Sequence, residues 1–266
     1  MVCRFKVEPS FMSTPYSSVV SYRTRWPSRA PSQIALGPYH LKVEFRERSR
    51  MYDRRKRACV NIEDGRIELR EDLAGLQLAE AFFECIIRLS HFSKGCQQGC
   101  IEEAYTHSFA TGMVEFAQRN PQAWQWFNLL LAQHLSSKEA QYDRVVHGFV
   151  DQPPAMPTQV FIGGHPVTLR SIPKAQCAGA FGWYHFSRRE AQLYDGLTGS
   201  NLAVVALHEL THAVHHTYDL KKRDLHRNFR RAQLKGWLGI MKRSPHVWRW
   251  LAWVMSFPAK ATLEAA

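Results

Sequence analysis

Moved along itself by 124 residues, the chain lays Asn120-Pro121-Gln122-Ala123-Trp124-Gln125-Trp126-Phe127 over Ser244-Pro245-His246-Val247-Trp248-Arg249-Trp250-Leu251, and Gly112 over Gly236. A shift of 125 places Phe83-Glu84 over His208-Glu209, a difference that one small loop indel absorbs. Landmarks recurring in order at one long period are the mark of a duplicated unit. The expected organisation is a flexible basic arm over 1–35, a first repeat over 36–150, a Pro-rich linker over 151–158 and a second repeat over 159–266.

Each repeat reads as strands followed by helices. In the first, two β-prone runs flank Asp64-Gly65, which predicts a hairpin near residues 58–69. Residues 76–92 carry apolar positions on a helical period. A second helix runs from about 102 to 118, and Asn120-Pro121 stops it and opens a third. In the second, QVFIGG, PVTLRSI, FGWYHFS and EAQLY within 159–194 read as strands. Residues 200–217 form an amphipathic helix capped by Ser200 or Asn201, followed by a basic helix over about 223–243 and a Trp-rich one.

Charge follows this division. The formal total of +12 splits into +9 over 1–58, −5 over 59–150 and +8 over 151–266. The longest apolar run, Leu202 to Leu207, is closed by His208 and falls well short of the roughly 18 residues of a membrane span. The first residues lack the apolar core of a secretory signal, so a soluble, cytoplasmic protein is the expectation. Six cysteines without a CxxC pair read as reduced thiols. Cys85, His91, Cys96 and Cys100 form a poor metal set, because Cys85 falls on an apolar helix face.

The chemistry concentrates in His208-Glu209-Leu210-Thr211-His212, an HExxH motif that this composition produces about 0.035 times by chance. On a helix, side chains four apart share a face, so both imidazoles can hold one Zn²⁺. Glu209 then stands beside a water whose pKa the ion lowers, placed to take its proton as general base and return it to the leaving amine. His215 and His216 share that face, but His216 lies about 12 Å along the axis from His208, too far for one ion. A third ligand is expected from the following helix, with His226 first, Asp224 and Asp219 next, and His185 or His246 through the fold. The shift of 124 places His226 over Glu102. At a shift of 125 the first repeat has Phe83 and Ile87 at the histidine positions, so it holds no zinc in this way; Glu102, Glu103 and His107 come near the motif only if the halves pack face to face.

The HELTHAVHH helix resembles the active-site helix of the zincin metallopeptidases. The order of hairpin, HExxH helix, turn, helix and aromatic helix is similar to small predicted peptidases of phages and mobile elements related to the SprT-like and ImmA/IrrE-like minimal zincins. The resemblance implies Zn²⁺ as cofactor and a mixed sheet whose edge strand holds an extended peptide beside the metal. The fold class it implies is α+β and predominantly helical, built as two zincin-like repeats, the first degenerate. The sequence departs from the metzincin pattern, with His215 where a glycine is required and Tyr218 in place of a third histidine.

The expected function is a zinc-dependent metallopeptidase acting on protein or peptide. The alternative is a non-catalytic binding or scaffold protein in which zinc staples the fold. The basic helix of Lys221, Lys222, Arg223, Arg227, Arg230, Arg231 and Lys235 offers a contact with nucleic acid, though such a face is more often merely solvated.

Overall fold

The computed structural model describes residues 30–96, 100–132, 155–177, 179–220 and 226–256. It is a mixed α/β structure with two four-stranded sheets and six α-helices among the described residues. The first half runs β1 (Gln33–Leu36), β2 (Tyr39–Arg46), β3 (Ala58–Asn61), β4 (Arg66–Arg70), α1 (Gly75–Ser93), α2 (Glu102–Arg119) and α3 (Pro121–Ala132). The second runs β5 (Gln159–Ile162), β6 (His165–Ile172), β7 (Gly182–His185), β8 (Glu190–Tyr194), α4 (Gly199–Thr217), α5 (His226–Arg243) and α6 (Pro245–Ser256). Most of the expected arm lies outside the described residues, as does 151–154 of the expected linker; residues 33–35 of that arm belong to β1.

Both sheets have one topology, β1-β2-β4-β3 and β5-β6-β8-β7, antiparallel except for the central parallel pairs β2/β4 and β6/β8. The hairpin expected at Asp64-Gly65 joins β3 to β4, with Gly65 at φ 62°, the left-handed conformation that such a turn needs. Strand alternation leaves one face apolar. Ile34, Leu36, Leu41, Val43 and Ile67 are buried from the first sheet, as are Val160, Ile162, Val167, Leu169 and Leu193 from the second.

The first hairpins of the halves stand 126 residues apart, and every later strand and α-helix stands 124 apart. The two extra residues fall in the β2–β3 connection, which is longer than the β6–β7 one. Within the helices the register is therefore 124, which corrects the pairing of Phe83-Glu84 with His208-Glu209: Glu84 occupies the position of His208, Cys85 that of Glu209 and Arg88 that of His212. Neither Ser200 nor Asn201 caps α4. Thr198 holds that position without a side-chain cap bond, and Gly199 starts the helix at φ 51°.

The helices interlock across the halves. Helix α1 packs on α2 and α4 on α5, while α2 also lies along α4 and α1 along α5, so the four form a closed ring. One glycine permits the crossing within each half: a Cβ at Gly112 would run into Ser90, and one at Gly236, the same position 124 residues on, into Val214. One core cluster draws on both halves, so the core does not follow the division of the chain. Trp124 and Trp248 meet with centroids 5.5 Å apart, and the Trp248 indole N–H donates to Asn128 Oδ1 at 2.8 Å. No helix among the described residues is long and apolar enough to cross a membrane.

Candidate metal centre

Helix α4 is buried over most of its circumference because the second sheet, α2, α5 and α6 surround it. His208, Glu209 and His212 are 3%, 6% and 6% exposed. Polar groups held this far from water need partners, since an unsatisfied one costs about 1–3 kcal/mol. The partners come from the other half of the chain. Helix α2 opens with Glu102 and Glu103, and this first turn lies against the HExxH segment. Two carboxylates at a helix N-terminus also suit the helix dipole.

His208 Nε2 lies 3.1 Å from His212 Nε2. Glu103 closes the triangle, with Oε1 3.2 Å from His208 Nε2 and Oε2 3.3 Å from His212 Nε2. Glu103 makes these approaches through two different oxygens; taking one donor atom from each residue, all three lie within 4.8 Å of one another, close enough to converge on one ion such as zinc at about 2.0–2.1 Å from each. Glu103, His208 and His212 are the one group of potential metal ligands that comes together among the described residues. Neutral imidazole nitrogens with a carboxylate suit zinc, and three protein ligands are the complement of a catalytic site. The Glu103 side chain is 31% exposed, while its Oε2, which faces His212, is buried.

His226 stands elsewhere. Its Nε2 lies 3.1 Å from His91 Nδ1, and its ring stacks on Tyr105 with centroids 5.1 Å apart. The register explains this. Residues 91 and 215 are equivalent, as are 102 and 226, so the His91–His226 contact repeats the Glu102–His215 contact of 3.2 Å at the matching place between the halves. Residue 226 therefore meets α1 of the first half, while the HExxH ligands of α4 are met by α2. Burial, with Arg230 and Arg88 nearby, lowers the His226 pKa to about 4.

The other candidates also lie apart from the donor triangle. Asp219 ends α4 in a left-handed turn at φ 50°, His185 stacks on Trp183, and His246 approaches the Gln159 carbonyl at 3.3 Å. Asp224 lies outside the described residues. His215 is fully buried against Glu102, and His216 Nδ1 lies 3.0 Å from Tyr184 Oη.

Glu209 points at strand β7, an edge of the second sheet. A Cβ at Gly182 would stand 2.9 Å from Glu209 Cγ and 3.0 Å from its Oε1, so glycine leaves room for this carboxyl. Burial pushes Glu209 up to about 7, against the pull of His212 and a backbone hydrogen bond from Tyr184. Burial opposes charge on His212 too, but the carboxylates of Glu102 and Glu103 outweigh it and raise that imidazole to about 10. Glu102 is held at about 2 and Glu103 also below the usual carboxylate range, their burial overcome by hydrogen bonds to these histidines. His208 and His107 are lowered, chiefly by burial.

Glu103 is the residue that sequence reasoning underweighted. The available signal was the pair of acids opening α2, together with the match of Glu102 to His226. No protein family, curated protein or solved structure matches this chain.

Proposed function

We propose that this chain is a zinc-dependent peptidase of zincin type, with His208, His212 and Glu103 as ligands and Glu209 as general base. The observation that carries this reading is that one donor atom from each of Glu103, His208 and His212 lies within 4.8 Å of the others, the two imidazole nitrogens 3.1 Å apart, on the helix that also carries Glu209. Bound zinc supplies Lewis acidity, polarising the scissile carbonyl and making water a competent nucleophile at neutral pH. Glu209 accepts the proton of the attacking water and returns it to the leaving amine. The edge of β7 beside Glu209 is suited to an extended peptide, which adds to a sheet through main-chain hydrogen bonds. The shared offset of elements supports a duplicated ancestry, in which Glu84, Cys85 and Arg88 replaced the metal chemistry in the first copy. Arg227, Arg231 and Lys235 are exposed along α5, which is consistent with an ordinary solvated face.

The test is cleavage of casein or a peptide library by zinc-loaded protein. Cleavage is expected to disappear on chelation and to return with added zinc. Protein that holds one zinc and cleaves nothing under these conditions supports the structural staple instead.

A further inference from the structure

The geometry points to Glu102 as the positioning residue that fixes how His212 is presented to the metal, an inference that rests on the metal reading above. His212 must offer an unprotonated Nε2, the atom facing His208 and Glu103, and its ring proton must then sit on Nδ1. That Nδ1 lies 3.1 Å from Glu102 Oε1. An ionised carboxylate only accepts, so Glu102 holds the proton on Nδ1 and sets the ring orientation.

Glu102 is itself fixed from behind. The same Oε1 lies 3.2 Å from His215 Nδ1. His215 Nε2 lies 3.3 Å from Gln233 Nε2, an amide that can only donate. His215 therefore keeps Nε2 bare and its proton on Nδ1, directed at Glu102. Gln233 also donates to the Tyr105 carbonyl at 3.3 Å, and Thr106 Oγ1 donates to the Glu102 carbonyl at 3.0 Å. His215 and Gln233 are fully buried, so few competing waters reach this chain of bonds. Three helices converge on one carboxylate oxygen: α2 provides it, α4 provides both imidazoles, and α5 orients the second of them. Neighbouring residues of one helical turn thus divide the work, with Glu103 at the metal face of His212 and Glu102 at its back.

The test uses the full chain and zinc itself. Affinity is measured by competition with a chromophoric chelator for wild type, E102A and E102Q, with the metal-free fold checked by circular dichroism. Loss of an outer-shell partner typically weakens metal binding about 10–100-fold, which is the effect expected for E102A. E102Q, whose amide oxygen still accepts an N–H, is expected to lose less. The second readout is the His212 ring in the zinc-loaded protein by long-range ¹H–¹⁵N correlation. A downfield Nδ1 proton is expected in wild type, moving upfield in E102Q. A folded E102A that binds zinc within about twofold of wild type overturns the inference, the outer-shell effect being at least about tenfold. Should E102A not fold, an unmoved His212 Nδ1 proton in E102Q overturns it equally. Wild type that binds no zinc defeats the metal reading itself, a result distinct from either.

Discussion

Glu209→Gln is expected to lower peptide hydrolysis by at least about 10²–10⁴-fold, the usual contribution of a positioned general base, while zinc content and fold remain those of wild type. Glutamine matches the shape of glutamate, so the space left by Gly182 still accommodates it, and its amide oxygen can still accept the backbone hydrogen bond from Tyr184. What is lost is the capacity to take a proton. The checking measurement is kcat/KM on a cleaved peptide, with bound zinc quantified in the same preparation. An active Glu209→Gln enzyme removes the proposed mechanism, and a variant that loses zinc along with activity moves Glu209 from base to ligand.

Zinc is expected to stabilise the fold strongly, and more strongly as pH rises. The proposed ligands lie on α2 and α4, in opposite halves of the chain, so an ion bound there only by the folded state would tie the halves together. Free zinc at about 1,000 times its dissociation constant adds about 4 kcal/mol. The pH sign follows from His212. Held at about 10, its imidazole carries a proton at neutral pH in the metal-free protein, and zinc must displace it. Affinity should therefore rise by up to about tenfold per pH unit through neutrality and level off near pH 10.

The metal-free protein has its own dependence. The raised His212 contributes stability that is present below its ordinary pKa and is lost as pH rises through about 10. Glu102 contributes stability that is present above the ordinary carboxylate range and is lost as pH falls towards 2, and Glu103 acts in the same sense. Glu209 runs the other way, its contribution fading as pH rises through about 7. Thermal melts with and without zinc at pH 6, 7 and 8 should show a widening gap. A zinc-induced shift independent of pH contradicts the assigned proton.

Local pattern made much of the fold legible. The Asp64-Gly65 hairpin, the helices beginning near 76, 102 and 200, and both Pro-initiated aromatic helices occur where periodicity and breakers put them, within a residue or two. Strands β1 and β2 were missed because a Ser/Pro/Arg-rich composition extends to their edge. The strand-like segment QVFIGGHPVTLRSI of the second half lies over QIALGPYHLKVEFR at an offset of 126, the signal that points to them. At the site, the spacing of His208, Glu209 and His212 was readable because a helix converts it directly into geometry. Glu103 was not, because its position depends on which helix of one half packs on which helix of the other. His226 shows the consequence: it stands at the counterpart of Glu102, one residue before that of Glu103, and from the second half it meets His91 of α1 in the first.

The most direct measurement is zinc stoichiometry in three proteins purified alike: wild type, Glu103→Ala and His226→Ala. One tightly held zinc is expected in wild type and in His226→Ala, and its loss from Glu103→Ala. Retention of zinc by Glu103→Ala with loss from His226→Ala would place the third ligand on α5 and contradict a centre assembled across the two halves.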